Sequence, residues 1–173
     1  MPAFTSVAAS NGYGRQQRFQ GYRYWRFMPE GATNVQIARV YFYAGTAKQT
    51  SFSDSSPAVV VTNPGGSSPG GEGPSNSMLT ANPTGSSKWL DFNSQSLVFQ
   101  FPSPQSFTGY DWITANDTTS FPGRQPTSWT VSGSYDGTMY ITLHSANQSS
   151  PGWQGTADNS LAFTVRNAWV NTY

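Results

Sequence analysis

The sequence predicts an all-β fold, an antiparallel β-sandwich or jelly roll, and three observations predict it. Short alternating or apolar runs recur along the chain, separated by turn residues. Turn formers are plentiful, with Gly 17 and Pro 12, enough to punctuate every one of those runs. No stretch of useful length carries the 3.6-residue period of an amphipathic helix. A chain of 173 residues suits one domain around one core.

The elements follow in chain order. Residues 1–20 are polar and read as an N-terminal arm or extra edge segment, leaving 21–173 as the sandwich domain. The first strand, 22–28, runs Tyr22-Arg23-Tyr24-Trp25-Arg26-Phe27 and alternates imperfectly, so one face is expected to be only half buried. A second strand spans 35–43, with Val35, Ile37, Arg39 and Tyr41 on one face and Ala38, Val40 and Phe42 on the other. Val59-Val60-Val61 marks a short buried strand near 58–62. Residues 62–77 have the composition of a linker but lie inside one domain, so they read as a long ordered surface loop. Further strands are expected near 97–101, 109–115, 128–134, 138–144 and 161–166, with Asp136-Gly137 turning a hairpin. Much of the core should come from Trp25, Val40, Phe42, Trp89, Phe99, Phe101, Trp112, Trp129, Val131, Ile141, Leu143, Phe163 and Val165.

Three segments carry a resemblance. The first is Arg23-Tyr24-Trp25-Arg26 followed by Val35-Gln36-Ile37-Ala38-Arg39-Val40-Tyr41-Phe42. The second runs from Asn63-Pro64-Gly65-Gly66 through Gly71-Glu72-Gly73-Pro74-Ser75-Asn76 to Lys88-Trp89-Leu90-Asp91-Phe92. The third joins Thr114-Ala115-Asn116-Asp117 to Pro122-Gly123-Arg124-Gln125-Pro126-Thr127-Ser128-Trp129-Thr130-Val131-Ser132-Gly133-Ser134-Tyr135-Asp136-Gly137. Across residues 22–165 the chain resembles the discoidin-like (coagulation-factor C-type) domains of the galactose-binding-like fold. The resemblance implies a jelly-roll sandwich with binding loops at one end. It also implies a structural calcium, but where many relatives place an Asp this chain reads Met78-Leu79-Thr80-Ala81-Asn82-Pro83-Thr84-Gly85, without a carboxylate.

Composition excludes several classes. Charged residues form 10% of the chain and the net charge is +1, so no broad field draws it to nucleic acid or an anionic membrane. No stretch is long and apolar enough for membrane insertion. Cysteine is absent, which removes disulfides and thiolate metal sites. The first residues show no export signal.

Catalytic groups are thin. His144 is the single histidine, Glu30 and Glu72 the only glutamates, and no spacing suggests a nucleophile–base pair, paired carboxylates or a metal set. The expectation is therefore a non-enzymatic binding module, with no catalytic residue, no metal ligand and no cofactor beyond a doubtful calcium. Its expected partner is a glycan held by sandwich-end loops. Sugar rings stack on aromatic faces and bond planar amide or guanidinium groups. Three loops have this composition: 45–57 with Lys48, Gln49, Phe52 and Asp54, 116–126 with Asn116, Asp117, Phe121 and Arg124, and 144–156 with His144, Asn147, Gln148, Trp153 and Gln154. Some of these residues also have a plain structural reading: Arg124 pinning its loop through carbonyls or Asp117, and Trp153 capping the sandwich end. A second function class is a structural virion protein, a capsid decoration or a fibre or tail subunit, with neighbouring subunits as partners. Display on a virion surface suits a chain without export signal or cysteine.

Overall fold

The computed structural model describes residues 21–45, 47–49, 59–78 and 87–150, with Lys48 and residues 164–168 described by their backbone alone. Its strands are β1 (Tyr22–Glu30), β2 (Val35–Ile37), β3 (Arg39–Ala44), β4 (Ala47–Lys48), β5 (Val60–Thr62), β6 (Trp89–Asp91), β7 (Leu97–Gln105), β8 (Gly109–Ile113), β9 (Ser128–Ser134), β10 (Ile141–Asn147) and β11 (Thr164–Ala168). Two short 3-10 turns, Pro74–Met78 and Pro122–Arg124, are the only helical pieces among the described residues.

The chain is an antiparallel β-sandwich. One sheet has the order β10-β9-β1-β7-β5, the other β11-β8-β3-β4, and β2 with β6 forms a two-stranded ribbon. Every described pairing is antiparallel. The period of two in β1 sets its faces. Trp25 and Phe27 are buried while Tyr24, Arg26 and Met28 stay half exposed on the outer side. The inner faces meet through aromatic side chains. Trp25 touches Phe42 with ring centroids 5.6 Å apart, Phe27 reaches Trp112 at 6.2 Å, and Trp112 meets Trp129 edge-on at 5.1 Å. These are favourable tilted geometries for rings that also bury large apolar areas. Gly133 is required by this packing, because a Cβ there would stand 2.2 Å from the Tyr22 ring.

The structure differs from the sequence expectations at several points. The run 35–43 is two strands, since a bend at Ala38 hands the chain from the β2–β6 ribbon to the second sheet. Strand β7 continues through Pro102 and Pro104 to Gln105 instead of stopping at the prolines, with a register irregularity between Tyr22 and Tyr24 absorbing the change. The last hairpin strand runs Ile141–Asn147, not 138–144. Residues 135–140 form the turn that precedes it.

Ile141, expected in the core, is 54% exposed. It opens an edge strand, and a register shift between Thr142 and His144 means that simple alternation does not carry through β10. Phe163 lies outside the described residues, as does the side chain of Val165. The surface loop at 62–77 is ordered by its own bonds. Asn76 Nδ2 donates to the Gly71 and Lys88 carbonyls at 2.6 and 2.8 Å, and Leu90 N donates to Glu72 O at 3.0 Å.

Candidate binding site

Of the loops expected to bind, residues 50–58 and 151–156 lie outside the described residues, and the described parts of the later two bond to one another. Gln148 donates from its backbone N to Thr127 O at 3.0 Å and from Nε2 to Pro126 O at 3.1 Å, tying the 147–150 turn to the 122–127 segment. Arg124 does not bond Asp117. Its guanidinium lies 4.0 Å over the Phe121 ring, and Asp117 instead meets the Lys88 ammonium at 2.5 Å. Asn116 is half buried in the turn that carries Asp117.

His144 and Asn147 belong to strand β10 instead of a loop, because pairing with β9 continues past the shift to Asn147↔Ser128. The Asn147 carboxamide oxygen accepts from Ser149 N at 2.8 Å and closes the following turn. Trp153 and Gln154 lie outside the described residues.

His144 completes a relay that is buried at Trp129 and Tyr110 and half-buried at the imidazole. Trp129 Nε1 donates to the Tyr110 hydroxyl at 2.8 Å, and that hydroxyl meets His144 Nδ1 at 2.8 Å. Burial lowers the His144 pKa and raises that of Tyr110. The arrangement near pH 7 is therefore a neutral phenol hydrogen-bonded to a neutral imidazole. The sign of the pH dependence follows. The unfolded histidine takes up a proton near its ordinary pKa of about 6.5, and the folded one resists until lower pH. This contribution to stability is complete above that value and is lost as pH falls from there toward the folded pKa. Melting temperature should drop between pH 7.5 and 5.5, and His144→Gln should flatten the drop. An unchanged slope would remove His144 as its source.

A concave feature lies elsewhere, on the outer face of the five-stranded sheet. It is a groove of about 390 Å³. Its floor is made by the outward members of β1 and β7: Tyr24, Arg26, Val98 and Gln100. One wall is Thr62 of β5 with Pro64 and Ser96. The other is the 135–140 turn, which brings Gly137 and Tyr140 over the sheet.

Local chemistry shapes both walls. Asp136 Oδ1 accepts from Thr138 N at 2.8 Å, Met139 N at 3.0 Å and Ser134 Oγ at 3.0 Å. Those bonds hold the Asp136 carboxyl well below the usual carboxylate range. Gly137 adopts φ +79°, and a Cβ there would press to 3.1 Å on the Tyr24 ring. Across the groove, buried Asp91 accepts from the backbone N–H groups of Ser67 and Gln95, both at 2.6 Å, and of Asn93 at 3.2 Å. Asp91 thereby fixes the two loops that carry Pro64 and Ser96.

No protein-family model, curated protein or solved structure matches the chain. The chemistry of the groove therefore rests on its own residues. Arg26 lies with its guanidinium carbon 4.2 Å over the Tyr140 ring. Burial raises the Tyr140 pKa, against a smaller opposing pull from Arg26, so its hydroxyl is neutral near pH 7. The groove thus combines two phenol rings, a guanidinium, the Gln100 amide and the Thr62 and Ser96 hydroxyls on a rigid sheet face.

None of Tyr24, Arg26, Gln100 and Tyr140 is among the binding residues that the sequence suggests. The available signal was the imperfect alternation of β1, whose outward positions hold tyrosine and arginine where small polar residues would suffice.

The stretch where the resemblance implies a calcium lies, beyond Met78, outside the described residues. Among the described residues no group of His, Cys, Asp or Glu converges in a metal-holding set. Glu72 and Asp117 both face the Lys88 ammonium, at 3.7 and 2.5 Å. Asp91 is surrounded by N–H donors.

Proposed function

We propose that the protein is a non-enzymatic binding module that recognises a glycan in the groove over β1 and β7. The observation that carries this reading is the pairing of Tyr24 and Tyr140 with Arg26 and Gln100 in one concave site. Ring faces suit the C–H surface of a sugar, and planar donors and acceptors beside them suit its hydroxyls. The residues lining the groove include no carboxylate and no imidazole, which favours binding over acid–base chemistry. A sheet face carrying the site is compatible with a discoidin-like, jelly-roll relationship while moving recognition away from the end loops.

Tyr140→Ala tests the reading. Loss of a contact aromatic costs about 1–3 kcal/mol, so affinity for a bound glycan should fall roughly 5- to 150-fold. The melting temperature should barely change, because Tyr140 sits on a turn outside the core. Undiminished affinity in Tyr140→Ala, with Trp153→Ala losing it, would return recognition to the end loops.

One feature favours the second reading, a structural subunit of a virus particle. Tyr135, Met139 and Ile141 are 58%, 79% and 54% exposed where the 135–140 turn leads into edge strand β10. Such apolar exposure beside β10, the outer strand of its sheet among the described residues, suits contact with a neighbouring capsid or fibre subunit.

A further inference from the structure

We infer that the groove selects an acidic saccharide, with a carboxylate or sulfate of the sugar seated against the Arg26 guanidinium. The inference rests on the glycan reading of the groove and narrows its ligand class.

Arg26 is half buried on the floor of the groove, and its Nε is buried with no hydrogen-bond partner. Among the described residues it makes no hydrogen bond or ion pair, and its stacking contact is the Tyr140 face. Stacking uses the flat of a guanidinium and leaves its in-plane N–H donors unspent. A partly desolvated cation without a counter-charge is unfavourable, and such cations are normally paired.

No residue lining the groove supplies that charge. Asp136, four residues before Tyr140, acts electrostatically on that ring, but its Oδ1 is committed to Thr138 N, Met139 N and Ser134 Oγ. Arg23, the other cation of β1, does not line the groove, and its guanidinium carbon lies 6.0 Å over the Tyr24 ring. Its Nε donates to Phe101 O at 3.3 Å, so part of its donor set is already used. What the groove lacks is an anion of the right reach. A carboxylate or sulfate matches the guanidinium fork bidentately while the sugar ring lies on a tyrosine face.

The test titrates the full chain with three probes: a galacturonate tetrasaccharide, the same oligosaccharide with its carboxyls reduced to alcohols, and a sulfated galactan oligosaccharide. At least one acidic probe should bind tenfold or more tightly than the reduced one, and added salt should weaken that binding only. Arg26→Gln should abolish the preference with little change in melting temperature. Arg26→Lys, which keeps the charge and loses the fork, should retain part of it and guards against a folding defect in the first variant. The acidic probe that wins tells carboxylate from sulfate. Equal binding of acidic and reduced probes, lost in Tyr140→Ala, would overturn the acidic selection and leave the glycan groove standing. Acid preference unchanged in Arg26→Gln would also overturn it. No binding of any probe would overturn both.

Discussion

Replacing Trp112 by alanine should lower the stability of the protein by about 3–5 kcal/mol, the range for removing a large buried aromatic. Trp112 is fully buried on β8 and is the point where the two sheets lock. Its ring meets Phe27 of β1 and Trp129 of β9, so one truncation empties contacts with two strands of the opposite sheet. A domain of this size holds only about 5–15 kcal/mol in total. The melting temperature should therefore fall by roughly 10 °C. Trp112→Phe should recover much of the loss. Phe121→Ala, at an exposed ring stacked with Arg124, should change stability by no more than about 0.5 kcal/mol. Urea unfolding of the three variants decides this, and a similar small loss in Trp112→Ala and Phe121→Ala would contradict the assigned core.

Asp91→Ala should also be severe, and for a different reason. The fully buried carboxylate gathers three backbone N–H groups, from Ser67, Asn93 and Gln95. Alanine leaves those donors without their acceptor, at about 1–3 kcal/mol for each one that water cannot reach. Because the three share one site, their losses will not add, and a total on the order of 3 kcal/mol is expected. Asp91→Asn keeps one acceptor oxygen and should lose less. The same change should weaken glycan binding, since the loops held by Asp91 carry Pro64 and Ser96 at the groove wall. Stability and affinity falling together in Asp91→Ala, with affinity alone falling in Tyr140→Ala, would separate the support of the wall from the contact surface.

How far the sequence could be read depended on what each signal reports. Alternation in β7 and β9 exposes the inner face directly, so Phe99, Phe101, Trp129 and Val131 are legible as core, and Trp25 is legible as a large aromatic despite the imperfect alternation of β1. Tyr110 and Phe107 are not. Tyr110 is buried because its hydroxyl finds Trp129 and His144, a pairing made only by folding. Phe107 follows a proline-containing stretch that reads as a loop, yet it stacks on Phe42 at 4.8 Å. Ile141 failed because a register shift in an edge strand leaves no mark in residue type.

The candidate site was legible only in its parts. Loop aromatics and amides were sought at the sandwich end because strands looked committed to the core, but only alternate strand residues are. The outward positions of β1 and β7 become a groove when the Asp136 turn folds Tyr140 over Arg26. That closure joins residues far apart in the chain, and no local pattern announces it.

The most direct measurement is to map amide chemical-shift changes while a bound glycan is titrated into the isotopically labelled full chain. The groove reading predicts changes centred on Tyr24, Arg26, Val98, Gln100, Gly137 and Tyr140, weaker effects at Thr62 and Ser96, and a quiet sandwich end. Changes centred on residues 116–126 and 144–156, with β1 and β7 unmoved, would contradict it.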